Sequence, residues 1–228
     1  MREIVLDTET TGLDPGSGHR IVEVGCVELL DHMPTGRTYQ KYINPERDVP
    51  LESYNIHGLS EAFLADHSVF AEIVESFLEF IGDDPLVIHN AAFDIKFLNA
   101  EIERLGFKPL PMSRTIDTLK IARSRYPGAS ASLDELCRRF GIDNTARTSH
   151  GALLDSELLA AVYIDLIGAR EPGLDLAAQS SSQTEAPVAA IDRPVRPARP
   201  HAPSDAELAA HDAFLEKLKD PIWKRQGD

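Results

Sequence analysis

The stretch that most constrains this sequence is its opening, where Ile4-Val5-Leu6 runs without a break into Asp7-Thr8-Glu9-Thr10-Thr11-Gly12. A short apolar run closed by small polar residues and glycine reads as a strand followed by a turn, here a strand over 2–8. Side chains two apart on a strand share a face. Asp7 and Glu9 therefore converge at the end of this strand, beside an apolar sheet. Two carboxylates so placed repel each other unless a cation or a proton stands between them.

The pattern that follows sets the fold class. Residues 20–30 and 36–43 read as two more strands, a meander with the first. Phe70, Ile73, Val74, Phe77 and Ile81 have helical spacing over 69–81. Pro85-Leu86-Val87-Ile88 is a short buried strand, after which Asn90 caps a helix running to about Leu105 and closed by Gly106. A strand over 114–117 leads into a helix. Ser132 opens another helix ended by Gly141, and a long one over 151–168 carries Leu154, Leu158, Val162 and Leu166 on one stripe. Three antiparallel strands followed by alternating helices and strands predict an α/β chain, a mixed sheet flanked by helices.

Composition narrows the function classes. Apolar residues make up 43% of the 228, enough for a real core. No apolar run approaches the roughly 20 residues of a membrane helix, so no membrane partner is expected. Met1 to Asp7 does not read as a secretory leader. Cys26 and Cys137 offer neither zinc spacing nor a disulfide framework, and the expected compartment is a reducing cytoplasm. The net charge of −14 argues against grip on nucleic acid through a broad basic patch. It allows a site that meets phosphates through divalent cations held by carboxylates.

Two further groups of residues bear chemistry. Asp94 falls in the first turn of the helix after Asn90, and His150 precedes the last long helix, with Asp155 in its first turns. Gly151 lets the chain bend there, so that His150 and Asp155 face one cleft. A histidine among carboxylates suits a general base, because their field raises a pKa already near neutrality. Alone, each has an ordinary explanation: acids favour helix N-termini, and Asn90 needs no function to cap a helix.

Together the segments Asp7-Thr8-Glu9-Thr10-Thr11-Gly12, His89-Asn90-Ala91-Ala92-Phe93-Asp94 and Ser149-His150-Gly151-Ala152-Leu153-Leu154-Asp155 resemble the three motifs of the DEDD superfamily of exonucleases, in the branch with a histidine in its third motif. The resemblance implies a ribonuclease H-like fold and removal of mononucleotides from a DNA 3′ end. It implies two divalent cations, Mg²⁺ or Mn²⁺, held by Asp7, Glu9, Asp94 and Asp155, with His150 as the base. Tyr54-Asn55-Ile56-His57-Gly58-Leu59 resembles the loop that holds the terminal nucleotide. By the same resemblance Glu52 and His57 contact that nucleotide, Thr8 and Phe93 line its pocket, and Glu9 and Asp155 border it.

The order signals fade after the last long helix. Residues 1–170 read as the exonuclease domain, 171–203 as a flexible linker and 204–228 as a tail. Six of the 15 prolines fall between Pro172 and Pro203, and no aromatic residue occurs between Tyr163 and Phe214. Glu171, Leu174 and Leu176 resemble a sliding-clamp-binding segment, with Glu171 where the family carries Gln; the ordinary reading is a Pro-Gly helix stop. Residues 205–219 have amphipathic spacing through Leu208, Leu215 and Leu218, and Trp223 follows. That helix either docks on its own domain or folds onto a partner with Trp223 as anchor. The family resemblance makes the partner the catalytic subunit of a replicative DNA polymerase. The rival readings are a stand-alone nuclease acting on RNA ends or repair intermediates, and a non-catalytic replisome scaffold.

Overall fold

Strand β1 (Arg2–Thr10) is the middle of a five-stranded sheet. The computed structural model describes residues 1–145, 147, 149–169 and 202–217. They fall in two compact units, within Met1–Asp175 and within Leu176–Asp228. In the first, β1 pairs antiparallel with β2 (Ile21–Leu30), which pairs antiparallel with β3 (Met33–Tyr42). On its other side β1 pairs parallel with β4 (Leu86–Ile88), and β4 with β5 (Thr115–Asp117), giving the order β3-β2-β1-β4-β5.

The pleat of β1 divides the core into two layers. Ile4 and Leu6 pack in one cluster with Phe70, Ile73 and Phe77 of α3 (Phe70–Ile81) and with Ile95, Leu98 and Ile102 of α4 (Ala91–Arg104). Val5 packs in the other, with Ala122 of α5 (Thr118–Arg125), Leu136 and Cys137 of α6 (Leu133–Phe140) and Leu158, Leu159 and Val162 of α7 (Ala152–Leu166). Alternation then sends Asp7 and Glu9 to the α7 side of the sheet and Thr8 to the α4 side. Both cysteines are buried and free.

The differences from the sequence expectations are local. β1 does not turn after residue 8; its ladder to β2 continues to Thr10, with a register shift between Glu9 and Thr10. The two β1 acids thus stand in a fully paired strand. Of the residues 54–59 expected as a nucleotide-holding loop, 54–57 belong to helix α1 (Leu51–His57), closed by Gly58 at φ 74°; a short α2 (Glu61–Leu64) follows. Leu51 and Ile56 are exposed, so α1 has no buried stripe for periodicity to find. On α7, Leu154 is only partly buried, because this helix buries several faces and not one stripe.

In the second unit, α8 (Asp205–Leu215) begins with a capping box between Ser204 and Glu207. Leu215 is buried and Leu208 exposed. Glu171, Leu174, Leu176, Leu218 and Trp223 lie outside the described residues. Among the described residues, no helix is long and apolar enough to cross a membrane.

Candidate active site

An open cleft of about 620 Å³ is lined by Asp7, Thr8, Glu9, Phe93, Asp94, His150 and Asp155. The fold brings these together from β1, the first turn of α4, and α7 with the loop before it. His57 lies one step away, in a hollow of about 140 Å³ that shares Thr8, Glu9 and Phe93 with the cleft. Glu52 is not among the carboxylates; it is exposed and lines an outer hollow with Ser53 and Ile56.

Asp94 is buried and held from β1: the Thr8 hydroxyl donates to its Oδ1 at 2.7 Å and the Thr8 N–H at 3.1 Å. Asn90 occupies the cap position of α4, but its side chain makes no capping bond. It sits instead in the left-handed region at φ 67°, ψ 50°, which asparagine tolerates, and lines the cleft. The N-terminus of α7 is set by two residues of β2. Glu23 is buried, accepts the Ala152 N–H at 3.1 Å and Gln40 Nε2 at 2.8 Å, and so does the capping that Gly151 cannot. At Gly25 a Cβ would come within 2.2 Å of the Ala152 and Leu153 backbone, so only glycine lets α7 sit this close. Ser156 Oγ donates to the Gly25 carbonyl at 3.0 Å.

The α7 wall also holds a cation that sequence reasoning missed. Arg147, 8% exposed, donates from Nε to Asp155 Oδ1 at 2.6 Å and from Nη2 to Oδ2 at 2.7 Å. Its Nη1 reaches both oxygens of Asp134 at 2.9 Å, and Nη2 lies 2.7 Å from His150 Nδ1. A guanidinium only donates, which assigns the His150 Nδ1 lone pair as acceptor and the ring proton to Nε2. His150 Nδ1 is also 3.3 Å from Asp155 Oδ2, and the His150 N–H donates to the Ile56 carbonyl at 3.0 Å. Nothing in the sequence marks Arg147: its partner Asp134 is on another element.

The electrostatics follow from this layout. Burial, with Asp94, Glu9 and Asp155 close by, pushes the Asp7 carboxyl well above its ordinary range. Burial and the Asp155 charge push Glu9 up to about 8. Burial raises Asp94 to about 7 against the opposing bonds from Thr8. At Asp155 burial also acts upward, but the hydrogen bonds and charge of Arg147 and His150 outweigh it and hold the carboxyl below its usual range. His57 is lowered to about 4 by burial and by the facing His150. Its Nδ1 accepts the Leu59 N–H at 3.0 Å, while Nε2 is buried with no hydrogen-bond partner among the described residues.

Ligand atoms of Glu9, His150 and Asp155 lie within 4.8 Å of one another. The carboxylates of Glu9 and Asp155 with those of Asp7 and Asp94 make a set of hard oxygen donors, three of which are short of positive charge. Such a set fits a divalent metal.

Fold and cleft define a nuclease, and comparison with known proteins agrees: the exonuclease family model RNase_T matches residues 4–163. The nuclease domain of 3′hExo, a DEDDh family member bound to rAMP, shares the fold at a TM-score of 0.64 and 20% identity, over 74% of this chain and 92% of that one. Exonuclease X, solved with 5′ overhanging duplex DNA, matches at a TM-score of 0.57 and 25% identity, over 73% and 92%. The sheet and its helices are those of a ribonuclease H-like exonuclease. In whole-chain likeness, DNA polymerase III subunit epsilon of Rickettsia conorii is 47% identical over 96% of each chain, and that of Escherichia coli 41% identical over 96% of this chain and 93% of that one. The chain belongs to the exonuclease family, in its group of DNA polymerase III epsilon subunits.

Proposed function

We propose that the chain is the 3′–5′ exonuclease that proofreads for DNA polymerase III, hydrolysing the last phosphodiester of a DNA 3′ end and releasing a mononucleotide. The observation that carries this reading is the convergence of Asp7, Glu9, Asp94 and Asp155 with His150 in one open cleft. Two divalent ions, Mg²⁺ or Mn²⁺, would be held there by Asp7, Glu9, Asp94 and Asp155, with Glu9 and Asp155 serving one, Asp94 the other and Asp7 both. When bound, they supply Lewis acidity to the attacking water and the leaving 3′ oxygen.

The protein's own residues do the rest. His150, on the loop at the cleft mouth, takes the proton of the attacking water through Nδ1 once that lone pair is free. Thr8 fixes Asp94. The unpaired Nε2–H of His57 is a donor for the terminal nucleotide, in a hollow walled by Thr8, Glu9 and Phe93. Glu52 meets the nucleotide from the outer hollow.

An acidic chain with an open cleft holds free DNA weakly, and tethering to a polymerase replaces affinity with effective concentration. Residues 204–228 make that tether to the catalytic (alpha) subunit, through Leu208, Leu215 and Trp223. Glu171, Leu174 and Leu176 form a weak sliding-clamp contact within the linker 171–203, and the complex works in the cytoplasm. Digestion of a 3′-mismatched primer with Mg²⁺ or Mn²⁺ tests the nuclease, and Asp7→Ala with Glu9→Ala is expected to abolish it. Undiminished digestion by that double variant sinks the reading. Calorimetric titration of the alpha subunit tests the tether: deletion of 204–228 is expected to remove binding, and full-strength binding by the deletion places the interface on 1–170.

A further inference from the structure

Arg147 is poorly explained as a structural ion pair. A guanidinium in the wall of a carboxylate cleft, 8% exposed, takes both oxygens of Asp155 and the Nδ1 lone pair of His150. These atoms are the ones the proposed reaction needs free: Asp155 to hold a cation, His150 Nδ1 to accept a proton. The same guanidinium has a second anchor, Asp134, through Nη1. Asp134 lies at the start of α6, is largely exposed and also lines the cleft. An arm with one anchor inside the site and another at its rim can leave the first without leaving the cleft.

We propose that Arg147 is an exchangeable counter-cation of the active site: it occupies Asp155 and His150 when no metal is bound, yields both to an entering divalent ion, and stays in the cleft on its Asp134 anchor as the cation that meets the substrate phosphate. The charges are consistent with this. Asp7, Glu9, Asp94 and Asp155 carry four negative charges when ionised. Two divalent ions balance them, leaving Arg147, on its Asp134 anchor, and Arg123 as the arginines of the cleft lining that can face the phosphate. Arg147 and Arg123 both line the cleft, and Arg147 is the one whose guanidinium pairs with Asp155. Arginine suits both stations, since its planar fork pairs with a carboxylate or a phosphate in the same geometry.

This inference rests on the metal-dependent reading of the site, and its test separates the two. Mn²⁺ binding to the full chain is measured by calorimetry for wild type, Arg147→Ala and Arg147→Lys, together with melting temperatures with and without Mn²⁺. Removing the competitor is expected to tighten Mn²⁺ binding about tenfold, the scale on which groups around a metal's ligands tune affinity. Arg147→Lys keeps a charge near the wall but loses the fork, and is expected to tighten binding to a smaller extent. Without metal, Arg147→Ala is expected to melt below wild type and to recover with Mn²⁺. With Mn²⁺ present, thymidine 5′-monophosphate is expected to bind Arg147→Ala at least several-fold more weakly than wild type. Equal or weaker Mn²⁺ binding by both variants overturns the exchange, as does unchanged nucleotide binding for the phosphate role. No Mn²⁺ binding by any of the proteins overturns the metal reading itself.

Discussion

The two walls of the cleft solve one electrostatic problem in opposite ways. On the α4 wall, Asp94 is buried, receives two hydrogen bonds from Thr8, and is raised to about 7. On the α7 wall, Asp155 is as deeply buried but pairs with Arg147 and is held below its ordinary range. Without metal, one wall keeps its carboxyl by protonating it, the other by supplying a cation. Burial alone therefore does not decide whether a buried acid is charged; the presence of a partner does. Asp7 and Glu9, between the walls, follow the α4 pattern.

The largest expected effect concerns turnover. His150→Gln is expected to lower single-turnover hydrolysis by about 10²–10⁴, the range of a general base. His150 is 47% exposed, so the melting temperature is expected to stay near wild type. A rate within a few-fold of wild type means that water attack needs no base from this loop.

The comparison itself breaks or holds on two matched variants. Asp155→Asn leaves Arg147 with Asp134 as its one carboxylate partner among the described residues, and is expected to destabilise the metal-free protein by about 3 kcal/mol, as for one partner lost from a buried pair. Asp94→Asn strips no cation, and its amide oxygen still accepts both Thr8 donors, so the expected change is within about 1 kcal/mol. The signs of the pH dependence differ as well. The raised groups Glu9 and Asp94 contribute stability that is complete below their unfolded values near 4, and it is lost as pH rises through about 7 to 8; Asp7, raised as well, acts in the same direction. The depressed Asp155 contributes above its unfolded value, and that contribution is lost on the acid side. Metal-free melting temperature is thus expected to fall from pH 5 to 9, less so in Asp94→Asn, with Asp155→Asn flattening the acid limb. Equal destabilisation by the two variants, or a flat profile from pH 5 to 9, removes the contrast between the walls.

These walls were unequally legible in the sequence. The spacing Asp7-x-Glu9 on a strand places two acids on one face by the period-2 pleat alone, and the Asp94 helix announces itself through its closing Gly106, the Asp155 helix through its apolar stripe. Arg147 could not be found that way, because one arginine in a polar loop carries no pattern and its Asp134 anchor lies 13 residues away on α6. Glu23 caps a helix 129 residues further on, a relation that exists only after the sheet has formed. Asn90 was placed at the right helix end for the wrong reason: its left-handed backbone, not its side chain, makes the turn. Helix α1 was hidden because its apolar residues face outward.

A smaller effect is expected from the packing that sets the α7 wall. Gly25→Ala puts a methyl into the Ala152 and Leu153 backbone, and overpacking of this kind costs about 1–3 kcal/mol. The shift carries Asp155 with it and leaves Asp94 in place. Expected are a lower melting temperature and weaker Mn²⁺ binding, with a normal Asp94 response to pH. Unchanged melting means that α7 can ride outward without strain.

The smallest effect tests the α4 wall at its single hydroxyl. Thr8 Oγ1 donates to Asp94 at 2.7 Å, and Thr8→Val removes that donor while keeping shape and β preference. The Thr8 N–H remains, so Asp94 stays partly satisfied, and the net loss is expected to be about 1 kcal/mol. The hydroxyl favours the ionised carboxyl, so its removal raises Asp94 further above about 7. The fall of metal-free melting temperature with pH is then expected to begin at the same pH but to be larger and to run to higher pH, since ionising Asp94 has become more costly, while Mn²⁺ binding near neutrality weakens severalfold. Thr8→Ser restores the donor and is expected to behave as wild type. If valine and serine variants give the same Mn²⁺ titration, the hydroxyl plays no part in holding Asp94, and the backbone N–H alone fixes that wall.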